Sequence, residues 1–584
     1  VSEVSEATEV TVPPPALPAP SPRLERTIVL AFVVLAAVLA LRHLSGDAAT
    51  ADEPVHVAGA VEIVREGTGR WNPEHPPLAK ALAGLALTGL PLRPADDPLR
   101  SPAGPARLLR FLFANETPAE TILFRARLPF VALLAGLLLA VRGEARRRWG
   151  PWAGIAALAF AVLEPSLNAH AGVVHTDLAV TLFVVLSLSP LARLARPEAK
   201  RASALLGLFW GLAFLSKYSA PLLALATLPF LAADATPGRP DLGRLLRRLA
   251  AAAAIALAVT LAGFAWACRN QTPEDRRAIA VERLETKGRS PAASRLAIRA
   301  GDLLPPLGNV LTGALSVALQ SEVGAGVNYF LGAVSREGSP WYFPVALAVK
   351  TPLGLLLGAA LALLARPGRR FAAVAGASLL LFLLLSSRTT YNIGVRHALL
   401  AFPLLAILAG AAAAGPREAA ALRSARLRLG AVAGAFLVAA LEAATAHPHP
   451  FSFFNAVAGG ADGGRRFFAD SSLDWGQDLL RLKAVAPSLA PDGLPAVVFG
   501  GDLPSRHAPV LRPPRPGEED RPGAFFAIGE APFALGPELL RAKGATGDAE
   551  RLESIRSALR ERGRRIGTVG GSIGLWRIES APPR

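Results

Sequence analysis

Apolar runs of membrane-spanning length recur along this chain, at about 27–43, 127–141, 151–168, 177–192, 202–216, 219–233, 249–268, 341–364, 371–387, 397–414 and 429–446. A hydrocarbon core about 30 Å thick takes roughly twenty such residues as a helix. Only helices and closed barrels can satisfy every backbone hydrogen bond there. The pattern therefore predicts a mainly α, polytopic membrane protein with about 11 transmembrane helices. Composition agrees, since 52% of the 584 residues are hydrophobic. The formal net charge of +17 would suggest nucleic acid in a soluble chain. Here the arginines fall in short clusters between apolar runs, which fits topology and anionic lipid and argues against nucleic acid. A single cysteine, Cys268, excludes an internal disulfide.

The basic clusters set an orientation. Arg142 to Arg148 follow the second run, Arg193 to Arg201 the fourth, Arg239 to Arg248 the sixth, Arg366 to Arg370 the eighth and Arg417 to Arg428 the tenth. Under the positive-inside rule those loops and the N-terminus are cytoplasmic. Residues 1–24 read as a disordered, Pro-rich cytoplasmic tail. The tail lacks the basic start of a secretory signal, so the first run is expected to remain as a span. Residues 25–446 then form the membrane domain, with outer loops 44–126 and 269–340, and 447–584 lie outside the membrane. All nine histidines fall at the outer face. Within the first outer loop, Pro77–Leu92 is apolar but broken by Lys80 and prolines, and is expected to lie in the interface rather than cross. The chain from 447 changes character. Strand-like runs (Ala496–Phe499, Ala524–Ile528, Ser572–Ile578) alternate with helical patterns (Leu479–Ala486, Glu550–Arg564), predicting a small extracytoplasmic α/β domain. Gly500-Gly501-Asp502 lacks phosphate-loop spacing and reads as a turn.

Several polar groups gather at the outer ends of the spans. Asp52-Glu53 directly follows the first run and suits either a general base or a helix N-cap. Glu74 and His75, with His56 near in sequence, suit a divalent cation or a phosphate, although the spacing matches no zinc motif. Asp177, two residues after His175, enters the fourth run, where a carboxylate needs a partner, a task or a capping role. Lys217 in Ser216-Lys217-Tyr218 suits a phosphate or a snorkelling cation. Tyr391, Arg396 and His397 share an outer loop, and the Arg396 fork matches phosphate oxygens, with interfacial anchoring as the alternative.

Taken together these stretches resemble the polytopic glycosyltransferases of GT-C architecture, nearest the bacterial family 39 type, which is related to protein O-mannosyltransferases and the lipid A aminoarabinose transferase. The resemblance rests on Asp52-Glu53, on Glu74-His75-Pro76-Pro77-Leu78, and on Leu167-Asn168-Ala169-His170 leading to Asp177. It continues through Leu215-Ser216-Lys217-Tyr218, Gly394-Val395-Arg396-His397, His447-Pro448-His449-Pro450 to Asn455, and Asp470 to Asp478. It covers about residues 25–485.

The resemblance implies transfer of a sugar from a polyprenyl-phosphate donor to an acceptor (protein, lipid or cell-envelope glycan) on the outer face, by one inverting displacement. Asp52 would take the acceptor proton, and Lys217 and Arg396 would stabilise the departing phosphate. Glu53, His56, His75, His397 and Tyr391 are further candidates for donor or substrate binding, with Glu53 the more readily structural member of its pair. Glu74 and Asp177 match acidic positions that bind a divalent metal in some relatives. His75 stands where the aminoarabinose transferases carry lysine. The expected setting is a bacterial inner membrane, with membrane lipid and the lipid-linked sugar as partners. A flippase for lipid-linked sugars and a non-catalytic envelope assembly protein are the other readings. The absence of an inverted repeat and the scarcity of midplane charge count against the flippase.

Overall fold

In the computed structural model every one of the apolar runs is helical. The structure describes residues 19–580, apart from 97, 99–103, 234–240, 324–325, 365, 388–389, 391 and 415–421. The expected tail therefore lies almost wholly outside the described residues, and the first helix, Pro22–Gly46, starts on a Ser21 cap.

The expectation of about 11 spans is met in part. Among the described residues five helices are long and apolar enough to cross a membrane, and two bent pairs raise this to seven. Runs 177–192, 202–216, 219–233 and 397–414 form shorter helices, namely Asp177–Ala192, Ala202–Ser216, Ala220–Ala232 and Ala401–Ala412. Asp177–Ala192 and Ala401–Ala412 are buried along nearly their whole length. Their apolar character is thus accounted for by neighbouring helices rather than by lipid. Glu164 and Lys350, two of the charges inside apolar runs, sit at the two bends. Pro151–Val162 turns by 67° into Pro165–Ala171, and Glu164 caps the second half by accepting from Leu167 N at 2.6 Å. Tyr342–Lys350 turns by 101° before the helix that starts at Leu353, and Lys350 donates to the carbonyls of Phe451 and Ser472 at 2.8 and 2.6 Å.

The first outer loop folds as two packed helices, Glu53–Arg65 and Pro77–Ala86. Gly84 lets them touch, since a Cβ there would lie 2.2 Å from the Ala60 carbonyl. The intervening residues wrap onto the C-terminal end of the first of these helices. Glu62 accepts from Arg70 N at 2.7 Å and Trp71 N at 2.9 Å, and Lys80 donates to the Trp71 and Asn72 carbonyls.

One buried ion pair ties this loop to the bundle. Arg127, on the helix Ala119–Trp149, contacts both oxygens of Glu53 at 2.7 and 2.6 Å. It also donates to the carbonyls of Leu44, Asp47 and Ala48. Glu53 in turn accepts from Thr50 N and Val174 N. Both side chains are fully buried.

Beyond residue 447 a five-stranded mixed sheet forms. With β1 (Asn328–Phe330) and β2 (Ala333–Ser335) a separate hairpin, its strands are β3 (Leu494–Val497), β4 (Leu511–Arg512), β5 (Phe525–Gly529), β6 (Gly563–Val569) and β7 (Ile573–Ile578), in the order β4-β3-β5-β7-β6. β3 runs parallel to β4 and β5, and β7 runs antiparallel to β5 and β6. Helices Leu479–Leu489, Glu530–Ala542 and Thr546–Arg562 accompany the sheet. The segment before the sheet lies on the exit of the first span by backbone contact. Ala48 N donates to Gln477 O at 2.9 Å, Ala51 N to Trp475 O at 3.1 Å and Gly501 N to Ala49 O at 2.9 Å. Gly476, at φ +93°, sits against Gly500, where any side chain would collide.

Removing one member of a buried, fully hydrogen-bonded ion pair costs about 3–5 kcal/mol. Arg127→Ala is expected to lower the thermal unfolding midpoint of the detergent-solubilised protein by an amount of that order, with Arg65→Ala at the surface of the same region as the small-effect reference.

Candidate active site

Five side chains from four parts of the chain join in one line at the outer end of the bundle. Lys217, at the end of helix Ala202–Ser216, pairs with Asp177, the first residue of helix Asp177–Ala192. The other oxygen of Asp177 meets His175 Nδ1. His175 Nε2 lies 2.7 Å from Arg396 Nη1 and 3.5 Å from Asp52 Oδ2, and Arg396 Nη1 donates to Asp52 Oδ2 at 2.9 Å. The Arg396 guanidinium stacks over Trp475 at 4.4 Å from the ring centre. Arg396 reaches the site because Gly394, at φ +119°, turns the chain into the short 3-10 turn Val395–Ala398.

These contacts give Asp52 a partner other than the helix it precedes. Asp52 occupies the cap position of helix Glu53–Arg65 but its side chain makes no capping bond, going to Arg396 instead. Burial alone would raise the Asp52 carboxyl. Arg396, with the hydrogen bond from His175, outweighs burial and holds it well below the usual carboxylate range. About a third of the Asp52 side chain stays reachable by solvent, whereas Asp177 is closed off.

The structure brings Asp52, Lys217 and Arg396 together and sets His56, His75 and His397 around them. His75 Nδ1 bonds to Asn72 Oδ1 at 2.8 Å, and His56 has no hydrogen-bond partner on either nitrogen. Burial, with neighbouring positive groups, lowers His56 to about 3 and His75 well below its usual value, so both rings are neutral. Glu53, a candidate for donor or substrate binding, is fully buried, with its oxygens taken by Arg127 and the amides of Thr50 and Val174. Tyr391 lies outside the described residues. Glu74 and Asp177, expected as metal ligands, each meet a protein cation. Glu74 is paired with Arg283 at 3.1 Å, and Asp177 with Lys217 and His175, so each is neutralised by a cation. Sequence reasoning did not single out Trp475 or Arg127 as site-forming, and took His175 only as the neighbour of Asp177. The signal for Trp475 was its place in the tract 470–478.

Two cavities open at opposite ends of the line. One, of about 230 Å³, holds Glu74, His75, Lys217, Tyr218 and His397 at its polar end. Its walls are apolar, formed by Leu222, Leu223, Val317, Phe343, Phe382 and Leu385. The other, of about 450 Å³, has Asp52, Arg396, Asp470, Ser471 and Trp475 on one wall. The far wall is the helix Glu530–Ala542, through Pro532, Leu535, Leu539 and Leu540.

Residues 120–266, which include Arg127, His175, Asp177 and Lys217, match the family described as dolichyl-phosphate-mannose-protein mannosyltransferase. The resemblance read from the motifs is to this same group. No curated protein matches the chain. Among solved structures the chain is similar to the protein O-mannosyltransferase Pmt1-Pmt2 complex of S. cerevisiae bound to the sugar donor, at 19% identity and TM-score 0.31, over 42% of this chain and 34% of that one. The chain thus spans about a third of the yeast chain that it matches. It is also similar to ArnT from Cupriavidus metallidurans in the apo state (15% identity, TM-score 0.32, 96% of this chain and 99% of that one). The same enzyme bound to undecaprenyl phosphate matches at 16% identity and TM-score 0.31, over 95% of this chain and 99% of that one. Likenesses this loose carry no argument of their own.

A carboxyl whose value falls on folding adds stability above the ordinary aspartate range and loses it as pH falls through the lowered value. Asp52→Asn is therefore expected to show a smaller drop in unfolding midpoint than the unchanged protein between about pH 7 and about pH 3. Equal drops would remove the ion pair from the account.

Proposed function

We propose that this protein is a membrane glycosyltransferase that moves a sugar from a polyprenyl-phosphate donor to an acceptor hydroxyl or amine at the outer membrane face, with inversion. The observation that carries the reading is the placement of one cavity at each end of the charged line. The cavity at Lys217 is narrow and apolar-walled with cationic and imidazole groups at its end, which suits an isoprenoid chain capped by phosphate. The cavity at Asp52 is wider and shared with the C-terminal domain, which suits the acceptor. The family match over residues 120–266, whose description names dolichyl-phosphate-mannose, supports a lipid-phosphate donor.

The chemistry follows from the charges. Asp52 takes the acceptor proton as the acceptor oxygen or nitrogen bonds to the anomeric carbon, and the bond from that carbon to the phosphate oxygen breaks. The departing phosphate needs no acid, but its charge needs cations, and Lys217 and Arg396 supply them. Asp52 is a weak base while Arg396 holds it. A phosphate that draws the guanidinium away restores its basicity, so the base becomes competent when the donor is in place.

The purified protein, given a polyprenyl-phosphate sugar and an acceptor, is expected to release free polyprenyl phosphate. Asp52→Asn should slow this by about 10²–10⁴-fold, the usual contribution of a positioned base. Undiminished turnover by that variant would remove Asp52 from the role, and movement of the intact donor across a vesicle membrane without turnover would mean a flippase. Orientation has its own test, in a Cys268→Ser chain in intact cells. Ser335→Cys, in the second outer loop, is expected to react with a membrane-impermeant maleimide, and Arg196→Cys only after permeabilisation.

A further inference from the structure

Three imidazoles from separate parts of the chain converge beside the charged line without any role in it that uses all three. Each of His56, His75 and His175 offers one ring nitrogen, and these nitrogens lie within 4.8 Å of one another. His56 comes from helix Glu53–Arg65, His75 from the turn before helix Pro77–Ala86, and His175 from the turn before helix Asp177–Ala192. The rings stand edge to face, with centres 4.8, 5.4 and 6.2 Å apart.

Two features separate this group from a chance cluster of histidines. First, His56 is 0% exposed and both of its nitrogens lack a hydrogen-bond partner. Leaving a buried polar group unmatched costs about 1–3 kcal/mol, so a ligand is the natural remedy. Second, the other two rings are oriented as metal-binding histidines are. His75 Nδ1 bonds to Asn72 Oδ1, and His175 Nδ1 meets Asp177 Oδ2, which leaves Nε2 of each ring as the outward nitrogen, open at His75 and met at His175 by Arg396 Nη1 at 2.7 Å.

The geometry points to a binding site for one divalent d-block cation, Zn²⁺ or Co²⁺ in class, held by His56, His75 and His175, and distinct from the acidic pair Glu74 and Asp177. Tetrahedral coordination at roughly 2.0–2.1 Å per nitrogen needs the three atoms closer than they stand, a closing that ring rotation supplies. At His175 the cation takes the lone pair that Arg396 now shares, and Arg396 keeps Asp52 at 2.9 Å. The carboxylates of Asp52 and Asp177 on either side of His175 offset the added charge. Three protein ligands leave a fourth position for water or an anionic oxygen, and His75 lines the cavity that contains Lys217. The site stands on ring geometry alone and does not depend on the transferase reading.

Cobalt(II) tests it without any assay of turnover. The full-length protein in detergent, stripped with a chelator, is titrated with Co²⁺ and followed by visible absorption and by metal content. One cobalt per chain is expected, with the strong visible band of tetrahedral coordination. His56→Ala and His75→Gln should each lose that band and weaken binding by at least about 100-fold, while His507→Ala in the C-terminal domain should keep both. Zn²⁺ is also expected to raise the unfolding midpoint of the unchanged protein, a reading that needs no variant to fold. Cobalt uptake by the unchanged protein no greater than by His56→Ala, or a midpoint indifferent to Zn²⁺, would overturn the site.

Discussion

The buried pair between Arg127 and Glu53 is the contact on which the outer end of the molecule depends. Two charges removed from water are stable together only when the remaining donors and acceptors are also met. Here they are met by the three carbonyls that end the first long helix and by the amides of Thr50 and Val174. The same two side chains therefore fix the exit of one span, the start of helix Glu53–Arg65 and the turn that carries His175. Asp52 immediately precedes Glu53, so its position relative to His175 follows from a contact in which it takes no part. A hydrophobic pair of equal volume could fill the space, but it could not fasten five backbone groups in one register.

Around that anchor the site is arranged as alternating charge. Lys217, Asp177, His175, Arg396 and Asp52 form a line in which each anion touches a cation or an imidazole. The two carboxylates and the two cations of the line offset one another, which permits so many ionisable groups at a largely closed position. The same neutrality makes the line responsive. An anion entering at the Lys217 end competes with Asp177, and one that reaches Arg396 competes with Asp52. The resting contacts are thus substitutes for those that a bound phosphate would make.

Much of this was legible from residue patterns. The apolar runs foretold the long helices apart from Pro305–Val323, and Asp52, Lys217 and Arg396 stand out because each combines charge with a position at a span end. The strands Leu494–Val497, Phe525–Gly529 and Ile573–Ile578 lie close to the predicted ones. What the sequence could not carry was partnership. Glu53 and Glu74 look alike as loop acids, yet Arg127 claims one and Arg283 the other across long separations in the chain. Apolar run length likewise measures burial and membrane crossing with one scale. Helices such as Asp177–Ala192, enclosed by other helices, carry the same apolar signal as a lipid-facing helix. The helical pattern Glu550–Arg564 reaches only the first two residues of strand Gly563–Val569, whose pairing to Ile573–Ile578 is visible only in three dimensions.

The contact between residues 48–51 and the segment 475–501 has a consequence for how the protein is made. The first span and its acidic exit are synthesised at the start of the chain, whereas Trp475, Gln477 and Gly501, whose backbones complete that exit, come more than four hundred residues later. Arg396, which holds Asp52, also arrives late. Until the ribosome has passed the last span, the exit has neither its backbone partners nor its guanidinium, and a chain halted before that point carries the acid without the site. Biosynthesis therefore finishes at the same place where chemistry would begin, and a nascent or truncated copy remains inert by construction.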